Sequence, residues 1–248
     1  MVVLRLRWRP LVAVLCGLVV TAVGARVALG SHADPPVIWS VRTSAPEVAL
    51  TFDDGPDPTY TPKILNLLRT HHAVATFFIL GTQAERFPEL VRQEAAAGSL
   101  VCPHGWQHLQ LRGRPAGFVQ SQVTRTAALL QTLGAPGCRL FRFPYFSSDA
   151  SARRAVADLG YQLVAAGIDT RDWSGRSAGA MASQVLAALK PGEIILFHDG
   201  GGNRAQTVRA VQAVLAGMAE KGLKAVTLQT LLDAAEPPPG RPGASQTS

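Results

Sequence analysis

Seven short apolar runs alternating with six amphipathic stretches limit this chain's possible folds more than any other feature. Val48–Phe52, Ala75–Leu80, Ser99–Cys102, Arg139–Phe143, Tyr161–Ala165, Ile194–Phe197 and Lys224–Leu228 have strand character. Between them, Pro58–Thr70, Ala84–Ala97, Gly117–Leu133, Asp149–Leu159, Ala178–Lys190 and Arg204–Lys221 read as helices. Ile64, Leu65, Leu67 and Leu68 in the first helical stretch, and Val208, Val211, Val214 and Leu215 in the last, give stripes that pack on a sheet. Alternation of this kind implies an α/β fold, a parallel sheet covered by helices. Closed on itself, the sheet is a distorted (β/α)7-type barrel; an open doubly wound sheet is the competing arrangement, because periodicity does not decide closure. With 248 residues, 47% of them hydrophobic and 17% charged, the chain can bury one full core.

The polar residues fall at one end of these runs. In a parallel barrel, reactive groups lie where strands end and loops begin. Asp53 and Asp54 close the first run, and Gly55-Pro56 then turns the chain. His104 and His108 follow the third, Arg142 and Tyr145 the fourth, Asp169 and Asp172 the fifth, His198 and Asp199 the sixth. One rim therefore collects them all. A competing reading makes Asp53 and Asp54 the cap of the helix that starts near Pro58. His71 and His72 sit at a helix end and are given no function.

His104 and His108 are placed to approach one ion, since Pro103 and Gly105 mark an irregular turn rather than a regular helix. A carboxylate from the first run completes a two-His, one-carboxylate set for a divalent metal; zinc suits these ligands, as do other divalent ions. Trp106 reads as core, or as a wall of the site. Of the two neighbouring acids, one binds the ion and the other stays off it as a base toward water. Arg142 is suited to hold that second carboxylate, charged, by paired hydrogen bonds. His198 is the candidate acid for a leaving group, with Asp172 raising its pKa. These parts allow attack of water on a carbonyl.

The N-terminus reads as an address. Arg5, Arg7 and Arg9 precede an uncharged apolar run from Leu11 to Ala25, the layout of a secretory signal or, if uncleaved, a membrane anchor, over residues 1–30. The domain is thus expected on the outer side of a membrane, tethered only through this segment. Of the formal +7 charge, removal of those three arginines leaves 21 basic residues against 17 acidic, a net +4. No Lys/Arg run with interleaved aromatics supports nucleic-acid binding, and nothing points to an obligate protein partner. Residues 31–44 read as linker, 45–235 as the domain, and 236–248, with Pro237-Pro238-Pro239-Gly240, as a disordered tail. Beyond the leader only Cys102 and Cys138 remain; an exported setting permits a disulfide, and two buried thiols fit the sequence as well.

Thr51-Phe52-Asp53-Asp54-Gly55-Pro56, His104-x-x-x-His108, Arg142-Phe143-Pro144-Tyr145, Asp169-Thr170-Arg171-Asp172-Trp173 and Leu196-Phe197-His198 resemble, in order, the five motifs of the polysaccharide deacetylases, carbohydrate esterase family 4, with its NodB homology domain. The resemblance runs from about Ala45 to Leu232. It implies metal-dependent removal of acetyl groups from N-acetylated sugars of a polysaccharide, peptidoglycan or a chitin-like polymer, with O-acetyl esters as the alternative substrate. It carries Asp53 over as catalytic base, Asp54, His104 and His108 as metal ligands, and His198 as general acid. Arg142 would orient Asp53, Asp172 would tune His198, the Tyr145 backbone N–H would face the oxyanion, and Leu196 with Trp173 would line the acetyl pocket. The sequence departs from the family pattern at Gly105, where Ser or Thr is usual. It departs again at Phe143 and Phe146, where Pro and Gly are common, and at Cys102-Pro103, where Gly-Asn is frequent.

Overall fold

The computed structural model describes residues 34–135 and 137–237. The leader, the first residues of the expected linker and all but the start of the tail lie outside the described residues. Among the described residues, no helix is long and apolar enough to cross a membrane.

The first strands and helices are β1 (Val37–Ile38), β2 (Glu47–Asp53), α1 (Thr61–Thr70), β3 (Thr76–Ile79), α2 (Gly81–Arg86), α3 (Pro88–Ala96) and β4 (Leu100–Pro103). They are followed by α4 (Ala116–Thr132), β5 (Leu140–Phe141), α5 (Ala150–Ala157), β6 (Gln162–Val164) and β7 (Ile168–Asp169). α6 (Ala178–Ala188), β8 (Ile194–His198), α7 (Ala205–Glu220), β9 (Lys224–Val226) and α8 (Leu228–Asp233) complete the series. Every strand pair in the sheets is parallel. One sheet has the order β4-β3-β2-β8-β7, with β9 added to β2, and a second has the order β1-β6-β5. The parallel α/β frame implied by the alternation is present, as two hydrogen-bonded parallel sheets rather than one continuous ring. An isolated bridge from Ser40 to Glu193 lies at one seam. The other is crossed by a disulfide from Cys102 on β4 to Cys138, just ahead of β5.

β2 shows why the apolar runs are continuous. Side chains alternate across a strand, so Val48, Leu50 and Phe52 face outward, in one cluster with Ile64 and Leu68 of α1 and Val211, Val214 and Leu215 of α7. Ala49 faces inward with Phe78, Leu140, Val164 and Leu196, closed below by Leu228 and Leu231 of α8. A strand covered on both faces has no place for polar residues until it reaches the rim. A third cluster packs Val119 and Val123 of α4 and Ala152, Ala155 and Val156 of α5 on Phe141 and Leu163.

Several boundaries differ from the sequence reading. The helix expected over Ala84–Ala97 is two, because Pro88 opens α3 and forces Phe87 out of helical geometry (φ −131°, ψ 56°). The run Lys224–Leu228 stops at Val226, because the Thr227 hydroxyl accepts from the Thr230 N–H and caps α8 instead. The stretch expected as linker contains β1, which pairs with Leu163 and Val164, and the buried Val41. β1 and β7, two residues each, lie outside the seven apolar runs. Of the two states allowed for the cysteines, the structure has the disulfide.

The crosslink closes a loop of sequence separation 36 across a seam that no ladder spans. Replacing both cysteines by serine is expected to cost about 2–4 kcal/mol of stability. Chemical denaturation with and without reductant checks this: the wild-type midpoint should fall on reduction, and the double variant's should not respond.

Candidate active site

β2 delivers the two acids through its register. Asp53 pairs with Phe78 of β3 on one side and with His198 of β8 on the other. Asp54 then leaves the strand with φ 73°, and Gly55 passes so close to Asp199 that a Cβ there would lie 2.2 Å from its carboxylate. Neither Asp53 nor Asp54 caps α1: Tyr60 holds the cap position without a side-chain cap bond, and the turn ahead of it is closed by Asp57, whose Oδ1 accepts from the Thr59 and Tyr60 N–H groups at 2.7 and 3.0 Å. Asp53 and Asp54 are thus left to the rim.

Arg142, fully buried, follows β5 and reaches across the barrel. Its Nη1 donates to Asp53 Oδ1 at 2.7 Å and to Thr51 Oγ1 at 2.8 Å, and its Nη2 donates to the Ala165 carbonyl at 2.8 Å. The paired grip on the carboxylate expected from sequence is therefore a single bond, because the second nitrogen is spent on the β6–β7 connection. The guanidinium also lies 4.3 Å from the Phe78 ring centre. The Arg142 carbonyl accepts from His104 Nδ1 at 2.8 Å. That bond places the His104 proton on Nδ1 and leaves Nε2 as an electron-pair donor.

His104 Nε2 lies 3.5 Å from Asp54 Oδ1, and His108 Nε2 lies 3.3 Å from the same oxygen. The ligand atoms of these three residues all fall within 4.8 Å of one another. Asp54 Oδ1 is buried and has no hydrogen-bond partner, and it lies beside two imidazole nitrogens, an open acceptor of the kind a cation uses. Burial drives the His104 pKa down to about 3 despite the attraction of Asp54, with His108 and Arg142 adding to the drop. A neutral imidazole is the form that ligates. Donor set, orphaned oxygen and tautomer all fit a divalent metal.

Across the same mouth, His198 Nδ1–H donates to Asp172 Oδ1 at 2.7 Å, and its backbone N–H donates to Asp172 Oδ2 at 2.8 Å. Thr207 on α7 donates to that second oxygen at 2.8 Å. Burial would lower the His198 pKa, but the Asp172 bond and charge, with Asp53 and Asp54, outweigh it and raise the value. Burial likewise opposes the Asp172 charge, and the bonds from His198 and Thr207 overcome it, leaving its pKa lowered. A pocket of about 520 Å³ holds Asp53, Asp54, His104, His108 and His198 at its base, with Tyr145, Phe146, Trp173 and Leu196 in its walls.

A family model described as polysaccharide deacetylase matches residues 40–164. A peptidoglycan-N-acetylglucosamine deacetylase of Bacillus cereus is 34% identical over 198 residues, which cover 79% of this chain and 92% of that protein. The chain belongs to the polysaccharide deacetylase family. A chitooligosaccharide deacetylase of Sinorhizobium fredii is 35% identical over 191 residues, covering 73% and 89% of the two chains. A crystal structure of a peptidoglycan N-acetylglucosamine deacetylase bound to an N-hydroxybenzamide aligns with a TM-score of 0.77 at 33% identity, over 79% of this chain and 92% of that one. Membership of the polysaccharide deacetylases and the Asp–His–His cluster together make this chain a hydrolase.

Each site residue named from the sequence lies at this mouth or directly behind it. The family's hydroxyl after the first metal histidine is absent, and the structure shows what steadies the loop. Gln122 of α4 accepts from the Trp106 and Gln107 N–H groups at 3.0 and 3.1 Å, and the start of α2 donates from Gly81 and Thr82 to the carbonyls of Gly105 and Trp106. Gly105 itself has φ +110°, which a side chain resists. Trp106 is core, with the Arg125 guanidinium 3.4 Å from its ring centre. Thr51 stands in the first motif without a role, and Gln122 and Thr207 belong to no motif; each acts only across chain-distant contacts. Tyr145 and Phe146 carry the further surprise of positive φ, 59° and 51°, at a cost of about 1–2 kcal/mol each.

Asp54→Ala is expected to weaken zinc binding by more than the roughly 100-fold that loss of an outer hydrogen bond costs a metal site. Titration calorimetry of the chelator-stripped protein checks this, and equal zinc affinity in wild type and variant contradicts the ligand set.

Proposed function

We propose that this protein is an exported deacetylase that hydrolyses the N-acetyl amide of N-acetylglucosamine units in a polymeric glycan, releasing acetate. The observation that carries the reading is Asp53 and His198 side by side on β2 and β8 at one pocket, the first held by Arg142, the second by Asp172, with Asp54, His104 and His108 lining the same pocket. Peptidoglycan is the proposed polymer, supported by the relatives' activity and by the leader-like N-terminus.

A divalent ion, zinc by the donor set, held by Asp54, His104 and His108 would supply Lewis-acid polarisation of the acetyl carbonyl and acidify a water. Asp53 takes the proton of the attacking water, its other oxygen fixed by Arg142. His198, made a stronger holder of its proton by Asp172, gives that proton to the departing nitrogen. The Tyr145 backbone N–H is assigned to the developing oxyanion. Leu196, buried, and Trp173, exposed at the rim, are assigned to the acetyl methyl. Thr51 and Thr207 are positioning residues, the first on Arg142 and the second on Asp172.

The deciding assay measures acetate from chitooligosaccharide, peptidoglycan and acetylated xylan side by side, after chelation and with zinc restored. Zinc-dependent acetate from the N-acetylated substrates is expected; release from xylan alone would make the protein an esterase. Asp53→Asn should cut turnover by about 10²–10⁴-fold while zinc content stays that of the wild type.

A pH profile tests the acid. His198 must be protonated to donate, so activity falls as pH rises through its raised pKa. Asp172→Asn removes the largest contributions that raise it, leaving those of Asp53 and Asp54, and the alkaline limb of kcat should move to lower pH. An unmoved limb would take the acid role away from His198.

A further inference from the structure

Among the described residues, the exposed large hydrophobic side chains are Trp39, Phe118, Tyr145 and Trp173. Phe118 lies on α4 with the Arg114 guanidinium 5.6 Å from its ring centre, whereas Tyr145 and Trp173 line the pocket. Trp39 directly follows β1, and its ring centre is 5.9 Å from that of Phe146, with the planes tilted by 47°. Phe146 is itself part of the pocket wall. The indole therefore adjoins that wall through the Phe146 ring. A lone exposed aromatic needs no explanation, but an exposed one continuous with the wall of a reactive pocket invites one.

The backbone supplies a second observation. Phe146 keeps φ 51° directly after Tyr145 at 59°, a conformation that glycine adopts without strain and a phenylalanine does not. Strain of this kind persists where the surroundings hold it and gathers at functional sites. Here it accompanies two aromatic rings set in the wall, Tyr145 against His108, with ring centres 4.2 Å apart, and Phe146 against Trp39.

We propose that Trp39 and Phe146 form a stacking platform for the sugar ring next to the one whose acetyl group is hydrolysed, so that the protein selects glycan chains over single sugars. The proposal rests on the glycan-deacetylase reading. A pyranose ring has a face lined by C–H groups, and such faces bury well against aromatic rings, which supply large apolar area at small entropic cost. The platform thus takes a sugar ring by its shape and apolar face and leaves the hydroxyls to solvent.

The test compares wild type with Trp39→Leu, Trp39→Phe and Phe146→Gly on N-acetylated chitooligosaccharides of increasing length. In Trp39→Leu and Phe146→Gly, the ratio of kcat/KM on the tetramer to that on the dimer should fall about ten-fold, through KM rather than kcat. Trp39→Phe should restore most of it. An unchanged ratio, or an equal loss at every length, overturns the platform. Calorimetric binding of chitotetraose separates this from the catalytic reading. If no oligomer yields acetate yet the leucine variant binds chitotetraose about ten-fold more weakly, the platform stands and deacetylation falls. No binding by the wild type, or binding that the leucine variant leaves unchanged, overturns the platform.

Discussion

A guanidinium removed from water has to recover its lost hydration from partners, and the way Arg142 does so organises the whole site. Its side chain ties Asp53 and Thr51 on β2 to Ala165 beyond β6, and its carbonyl accepts a hydrogen bond from His104 Nδ1–H. One residue therefore positions the carboxylate assigned as base and the imidazole assigned as ligand, through opposite ends of the same amino acid. Its remaining Nε has no partner, while the Phe78 ring covers the guanidinium's flat face. Such a group is costly to bury and more costly to leave unpaired, so Asp53 and Arg142 hold each other in place.

Arg142 also acts where the barrel is weakest. The two sheets share no ladder, and its bonds run from β2 in one sheet to the end of β6 in the other. The Cys102–Cys138 disulfide crosses the β4–β5 seam, two residues before His104 and four before Arg142. Strands that would otherwise be held only by side-chain packing are thus fastened next to the residues whose spacing matters. The Cys102-Pro103 departure from the family pattern has a physical sense in this light: the first of the pair joins the seam, and Pro103 still pairs with Ile79 in the ladder.

Much of this was legible because it is written in local pattern. The central runs became strands buried on both faces, β2, β3 and β8 above all, and the rim residues stand out because polar residues follow such runs abruptly. What escaped depended on distance or on shortness. β1 and β7 are too short to show a period, and Pro88, visible in the sequence, was not given its helix-breaking weight. Gln122 reaches the 105–108 loop from α4, and Thr207 reaches Asp172 from α7; neither spacing carries a signal. The single rather than paired bond from Arg142 to Asp53 could not be foreseen either, because it is set by the Ala165 carbonyl on the far side of the barrel.

The two pocket histidines show how one type of side chain can be prepared for two different roles, the proposed ligand and the proposed acid. Burial presses both toward neutrality. His104 yields: desolvation outweighs Asp54, the neighbouring His108 and Arg142 push the same way, and its Nδ1 partner is a carbonyl rather than a carboxylate. His198 does not yield, because the Asp172 carboxylate lies on its Nδ1 and a second bond from its own backbone fixes that carboxylate in place. The difference between carbonyl and carboxylate at the same ring nitrogen thus separates the proposed ligand from the proposed proton donor. Such a separation is how a site keeps acid and base roles apart at one pH. It requires that Asp172 remain charged while buried, and the Thr207 hydroxyl and the His198 N–H supply the bonds that keep it so.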